Sequence, residues 1–499
     1  MQNLDKKEKS NSYRSILKST MLIGGSSALN MLIGMVRTKF AAIIIGPSGI
    51  GLIALYSQVS NLVYTASSFG LGRSGVRQVA EAVATNDDES VARTVTTLRR
   101  TVWLSGSFGM LAMFIFSGPI SRITFNSSDY VFTTASLGII ILLTAITSGQ
   151  ACILQGARRI SDLAKISIIS AVAGTVISLP CYYYLGTNGI IPSLILTGCT
   201  SLATSWWFAR KFKIKKISLS WQASRFEAKQ LLSFGLGLMA ASLVTLFSNY
   251  LIQVLIVRQF SLEGAGICQA ALSLSLVFVS FVLGSMGADF YPRLTAKSAD
   301  NSAMRQMINE QLGISMSMAL PGLALMLVFS PFVIKTFYSA SFVEAIPILR
   351  WCCLGMLGRV LSWPLGYLVM AKGYGRLYFL TELVSALSRI IAVFVLTKYF
   401  GMIGVGMALV VQNVSYTVLM LFVMKNIIGE TLSNEIALQS LFSIAALSAI
   451  MINIEFNTNN VSSLIFNIII LFAIILSCSK NILKNSDIRI KKLIPEKIF

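Results

Sequence analysis

Long apolar runs alternate with short polar breaks along the whole chain. A run of about 18 or more apolar residues is long enough to cross the roughly 30 Å hydrocarbon layer of a membrane as a helix. Fourteen such runs are legible, at 16–45, 50–72, 102–120, 131–154, 166–185, 190–208, 231–257, 265–290, 312–337, 345–371, 377–397, 402–424, 437–452 and 461–479. The first is punctuated by Gly24, Gly25 and Gly34. The pattern predicts an all-α polytopic membrane protein of about 14 transmembrane helices.

Composition agrees. Of 499 residues, 55% are hydrophobic and 12% charged, against about 25% charged in an ordinary soluble domain. Little chain is left for an extramembrane domain, and no predicted outer loop much exceeds about ten residues. The chain has no histidine, which removes imidazole acid–base relays, Ser-His-Asp and Cys-His nucleophiles and histidine metal sites. Cys152, Cys181, Cys199, Cys268, Cys352, Cys353 and Cys478 lie within or beside apolar runs without Cys-x-x-Cys spacing, and read as small buried hydrophobes. The basic N-terminal segment leads into an apolar run far longer than a signal-peptide core, so the first helix is expected to be retained. No metal or cofactor is expected.

Positive charge sets the orientation, because short cytoplasmic loops retain Lys and Arg. With the N-terminus inside, all but nine of the 41 basic residues fall in cytoplasmic segments, so both termini are predicted to be cytoplasmic. The net charge of +21 is thereby explained without nucleic acid. The richest segment, Arg210-Lys211-Phe212-Lys213-Ile214-Lys215-Lys216, reads as a topology signal touching anionic headgroups, or more sharply as a recruiting patch for a phosphorylated lipid.

That segment also reads as a seam. Sliding the second half onto the first by 215 positions places Gly49 and Gly51 on Gly264 and Gly266, Ser60 on Ser275, Gly72 on Gly287, Ser170 on Ser385, Gly186 on Gly401 and Gly189 on Gly404. The shared register predicts two six-helix lobes, 1–209 and 231–426, joined by a basic linker at 210–230 and followed by an extra helix pair and basic tail at 427–499. Both lobes start inside, so the predicted pseudo-two-fold axis lies along the membrane normal, and two such lobes enclose a cavity suited to alternating access. The glycines and prolines of the helices serve close packing or, alternatively, hinges.

Charges within the runs point to chemistry. Arg359 and Arg389 fall near the middles of the tenth and eleventh spans, with Arg350 and Arg37 nearer span ends. Each would cost about 2.5–3.5 kcal/mol facing lipid. Glu382 precedes Arg389 by two helical turns, so the two are able to share a face as an ion pair. Asp289 is the other acid near a span interior. The surplus of arginine predicts an anionic substrate, and phosphate suits the guanidinium fork.

Particular strings resemble a known family. Gly46-Pro47-Ser48-Gly49-Ile50-Gly51-Leu52, Ser67-Ser68-Phe69-Gly70-Leu71-Gly72 and Arg77-Gln78-Val79-Ala80-Glu81 are similar to the opening of Wzx-type O-antigen translocases. Leu154-Gln155-Gly156-Ala157-Arg158-Arg159 and Met286-Gly287-Ala288-Asp289-Phe290-Tyr291-Pro292-Arg293-Leu294 extend the resemblance. These translocases form part of the multidrug/oligosaccharidyl-lipid/polysaccharide (MOP) exporter superfamily. The resemblance implies an inner-membrane flippase that carries an undecaprenyl-diphosphate-linked oligosaccharide from the cytoplasmic to the periplasmic leaflet, alongside membrane lipids and other O-antigen assembly proteins. Arg37, nine residues before Gly46, matches a first-helix cavity arginine of the related lipid II flippases. Asp289 and Arg293 match an eighth-helix motif and, with Glu382, are the candidates for gating or for proton or sodium coupling. Arg37, Arg350, Arg359 and Arg389 are the candidates for holding the diphosphate. Two other functions compete: an ion-coupled multidrug or metabolite antiporter, which would favour an acidic cavity, and a membrane O-antigen polymerase or glycosyltransferase, which would need a larger extramembrane loop.

Overall fold

The computed structural model describes residues 24–85, 87–212, 215, 220–456 and 461–493. Helix is the regular secondary structure among them. Helices α1 (Gly24–Ile44) and α2 (Gly46–Ser68) are followed by α3 (Leu71–Ala84), α4 (Asp88–Phe125), α5 (Val131–Gly156), α6 (Ile160–Leu185) and α7 (Ile190–Ala209). Then come α8 (Trp221–Ala296), α9 (Asn301–Val328), the short α10 (Ser330–Phe337), α11 (Ala345–Ala371), α12 (Gly375–Phe400), α13 (Ile403–Ile428), α14 (Asn434–Phe456) and α15 (Val461–Leu493). Eleven helical stretches are long and apolar enough to cross a membrane, and two of them, Ile160–Ala209 and Met239–Gly284, run to 50 and 46 residues and so cross twice. With α2, those crossings make fourteen.

The boundaries differ from the sequence pattern where charge hides a helix. The stretch 73–100 reads as a polar loop, yet it folds as α3 and the first turns of α4. Asp87 caps α4 by accepting from the backbone N–H of Glu89 and Ser90. The ion pairs Arg77–Glu81 (2.7 Å) and Arg93–Glu89 (2.6 Å) lie one turn apart on the exposed faces of these helices. Gly34 does not break α1; the break falls at Gly46, with φ +63°. Cys199 is exposed rather than buried, whereas Cys152, Cys268, Cys352, Cys353 and Cys478 are buried and free. Lys213, Ile214 and Lys216 of the basic segment, and all of the linker that follows it to residue 230 except Ser220, lie outside the described side chains.

The chain divides into two compact units, Met1–Gly266 and Ile267–Phe499. In the first, α4 packs along α5 and α6 along α7. Leu71 and Val79 of α3 meet Val95, Leu98 and Val102 of α4 and Ala145, Cys152 and Ile153 of α5. In the second, α11 is the central element, with Leu349, Cys352, Cys353, Val360, Leu365 and Leu368 all buried between α9 and α13. Helices α14 and α15 lie on α9. Gln439 donates to Ser317 (3.1 Å), and Asn453 joins α14 to α15 through Ser463 and Asn467 (both 2.9 Å). Large apolar side chains such as Ile115, Phe132, Val418, Ile469 and Phe472 are exposed along the helices, as helices solvated by lipid tails require.

Backbone geometry repeats at the same offset of 215. Left-handed φ values fall at Gly46 (63°) and Ser261 (70°), at Arg158 (55°) and Gly373 (76°), and at Gly186 and Gly401 (both 58°). Helix α5 maps onto α11 and α6 onto α12 with ends matching to within one residue. At Gly186 and Gly401, ψ is −135° and −143°, a region close to glycine-only. A Cβ at Gly186 meets nothing within 4 Å, so Gly186→Ala tests backbone strain alone. Its expected cost is about 1–3 kcal/mol, read as a lowered melting temperature in detergent. Gly118→Ala, also with open space around the new methyl but inside α4, is expected to leave stability unchanged or slightly raised.

Candidate functional site

Helix α11 brings Arg359 to the middle of its 27 residues, flanked by buried Gly355, Met356, Leu357 and Val360. Those neighbours fix the helix against α9 and α13, and Arg359 stands on the opposite, exposed side. It makes no ion pair with another described residue. Arg389, half-buried on α12, lies within electrostatic range of both Arg359 and Cys352. The structure therefore places the two mid-span arginines of the sequence together.

Glu382 does not pair with Arg389, as their two-turn spacing allows. Its carboxylate instead accepts from the Tyr416 hydroxyl of α13 (2.8 Å). Two turns separate residues along the axis by about 10 Å, whereas α12 and α13 pack side by side, so the cross-helix partner is the nearer one. Arg350, near the start of α11, donates to Ser330 at the start of α10 (2.9 Å) and has Glu455 as an opposite charge nearby. Asp289 and Arg293 form an exposed i,i+4 pair at 2.9 Å near the end of α8.

In the first unit, Arg37 is half-buried on α1, and its Nη1 would lie 3.5 Å from a Cβ at Gly174 of α6. The missing side chain makes a seat for the guanidinium. One turn pair earlier, Asn30 donates to Ser167, so the same two helices stay in register. Gly174 maps by the offset of 215 onto Arg389, and Arg37 onto buried Ile252. Each half thus carries an arginine on one of a corresponding pair of crossings, supplied by the first crossing in one half and by the fifth in the other. Sequence spacing gave no hint of this exchange; the offset applied to Gly174 would have revealed it.

Sequence reasoning also passed over a neutral site on α2. Ser57, Ser60 and Asn61 lie on one helical face with Tyr56 and Tyr64, and they line a pocket with Thr144 of α5. The recurrence of polar residues at i and i+4 in an apolar helix was the available signal.

Paired arginines on packed membrane helices, in two halves with matching backbone breaks, define a multi-pass membrane protein of transporter type. The chain belongs to the polysaccharide biosynthesis protein family, which matches residues 41–347. It is similar to the lipid III flippase of Escherichia coli (strain K12), with 22% identity over 415 residues covering 81% of this chain and 96% of that protein. Its fold matches the lipid II flippase MurJ in an inward closed conformation, with a TM-score of 0.68 and 15% identity over 94% of this chain and 99% of that one. It also matches an inward-facing multidrug resistance MATE family transporter of the MOP superfamily, with a TM-score of 0.69 and 14% identity over 80% and 94% of the two chains.

Proposed function

We propose that this protein is a flippase of the bacterial inner membrane. It moves an undecaprenyl-diphosphate-linked oligosaccharide, such as an O-antigen repeat unit, from the cytoplasmic to the periplasmic leaflet. The observation that carries this reading is Arg359: a guanidinium at the centre of a membrane helix, exposed and without an ion pair among the described residues. Exposure to lipid at that depth would cost about 2.5–3.5 kcal/mol, so the group belongs in a wet cavity, and an anion is what it is free to bind.

The physical division of labour follows from the substrate's chemistry. A diphosphate and sugar unit cannot shed water into hydrocarbon, while a polyprenyl tail remains in it. Arg359 and Arg389 replace water around the diphosphate through bidentate hydrogen bonds, and Arg37 offers the same chemistry within the first half. Rocking of the two six-helix lobes, 1–209 and 231–426, opens the cavity to the other side. No bond is made or broken, so no catalytic residue is assigned. Arg350, which donates to Ser330, is a further candidate for the anion, and Glu382, held by the Tyr416 hydroxyl within the span, is the candidate for sensing a coupling ion.

Deleting the protein in its host is expected to leave a lipid-linked saccharide stranded on the cytoplasmic face while surface glycan disappears. Mass spectrometry of extracted polyprenyl lipids identifies the saccharide. An unchanged lipid pool together with normal surface glycan would overturn the proposal.

A further inference from the structure

The pocket on α2 has about 150 Å³ of free space, around ten times what one ordered water needs. Its lining contains no charged residue. Ser57, Asn61 and Thr144 are exposed to it, the rings of Tyr56 and Tyr64 flank it, and its floor is apolar.

Many hydroxyls of the membrane helices are satisfied within their own helix, whereas those of Thr134, Thr147, Ser170 and Thr197 are buried without a partner among the described residues. Thr101, Thr175, Thr204, Thr397 and Ser443 each donate to a carbonyl four residues back at 2.7–3.0 Å, the usual way a membrane helix satisfies a hydroxyl. Ser57, Ser60, Asn61 and Thr144 make no side-chain hydrogen bond to another described residue. A face with three hydroxyls and an amide left open in mid-helix requires a polar occupant.

The occupant's class follows by comparison. A polyprenyl tail would leave those donors and acceptors unsatisfied, and an anion would find no cation. A bare metal ion would find no carboxylate and far too much room. A sugar ring matches each feature, since its hydroxyls both donate and accept as Ser, Thr and Asn do, and its C–H faces pack on aromatic rings.

The internal repeat sharpens the assignment. Thr144 maps by the offset of 215 onto Arg359, while Ser57, Asn61 and Tyr64 map onto Leu272, Leu276 and Val279. The second half therefore keeps one hydroxyl, Ser275 in place of Ser60, but puts a cation in place of Thr144 and loses the hydroxyl of Ser57 and the amide of Asn61. We propose that the α2 pocket is a saccharide subsite: the first half recognises sugar hydroxyls at the position where the second half holds phosphate through Arg359. This rests on the flippase reading above and adds to it a site that reads the sugar.

The test uses the full-length protein purified in detergent and two probes: undecaprenyl diphosphate without sugar, and the lipid-linked saccharide fraction extracted from a host lacking this protein. Binding is followed by native mass spectrometry. Asn61→Leu is expected to weaken saccharide-lipid binding by about tenfold, the loss of one to two hydrogen bonds, and to change binding of the bare lipid by less than about twofold. Ser57→Ala, a smaller change at an exposed position, is expected to act in the same direction by about threefold. Arg359→Gln is expected to weaken both probes alike. Wild-type binding of both lipids with equal strength, or an Asn61→Leu variant that weakens both or neither, overturns the subsite and leaves the flippase reading standing. A sodium-dependent rise in melting temperature that vanishes in Asn61→Leu, with saccharide binding intact, assigns the pocket to a cation and also overturns it. Wild-type protein indifferent to both lipids overturns the flippase reading and the subsite together.

Discussion

Arg359→Gln is expected to cut surface glycan by about ten- to a hundredfold while the protein remains at normal abundance in the membrane. A hydrogen bond to a charged group contributes about 1.5–3 kcal/mol, and each 1.4 kcal/mol is about a factor of ten. Abundance holds because Arg359 is exposed and pairs with no carboxylate among the described residues, so its removal strands no buried charge there. Arg359→Lys keeps the charge and loses the planar fork, and is expected to retain an intermediate level of glycan. Arg389→Gln and Arg37→Gln are expected to follow the same order. Glu382→Gln preserves an acceptor oxygen for Tyr416, so it should leave abundance unchanged whatever it does to transport. Immunoblotting of membranes beside quantified surface glycan separates export from folding. Normal glycan from all three glutamine variants, each at normal abundance, would remove the diphosphate role from these arginines.

The second large effect is expected at Gly266. An added Cβ there overlaps the carbonyl oxygen of Pro47 and lies 3.0 Å from the backbone N of Gly51, while a Cβ at Gly51 overlaps the carbonyl oxygen of Leu262 and lies 3.1 Å from the backbone N of Gly266. Pro47 maps onto Leu262 by the same offset that relates Gly51 to Gly266, so each residue meets the counterpart of its own neighbour. This reciprocity is the mark of a two-fold contact. Overpacking costs about 1–3 kcal/mol where side chains give way. Here the obstacles are backbone atoms just after the left-handed breaks at Gly46 and Ser261, with nothing flexible to move. Gly266→Val is therefore expected to lose about 3 kcal/mol or more, a large share of a typical folding free energy of about 5–15 kcal/mol. Membrane abundance should collapse. Gly72→Ala, whose new methyl meets nothing within 4 Å, should leave it intact. A Gly266→Val variant as abundant and heat-resistant as the parent would show that this crossing does not hold the fold.

The sequence by itself determined the class of fold, because the cost of apolar surface in water and of charge in lipid acts on composition and run length, which need no contacts to be counted. Apolar runs set the number of crossings, and the repeat of Gly186 on Gly401 carried through to matching backbone angles, since a glycine needed for a left-handed turn announces itself. Arg359 and Arg389 were legible for the same reason, as charges where lipid tolerates none. Tertiary structure decided which neighbour each group takes. Helices α3 and α4 extend through a charged stretch because their polar faces pair along the surface while Leu71, Val79 and Leu98 are buried; charge density alone reads as loop. Glu382 turned to Tyr416 on an adjacent helix because lateral packing brings groups nearer than two turns along one axis. Arg37 found its seat in a glycine 137 positions away, and Ser57, Asn61 and Thr144 became a pocket once α5 was laid against α2. Single-sequence patterns record what each residue prefers as solvent; only packing records which residues share it.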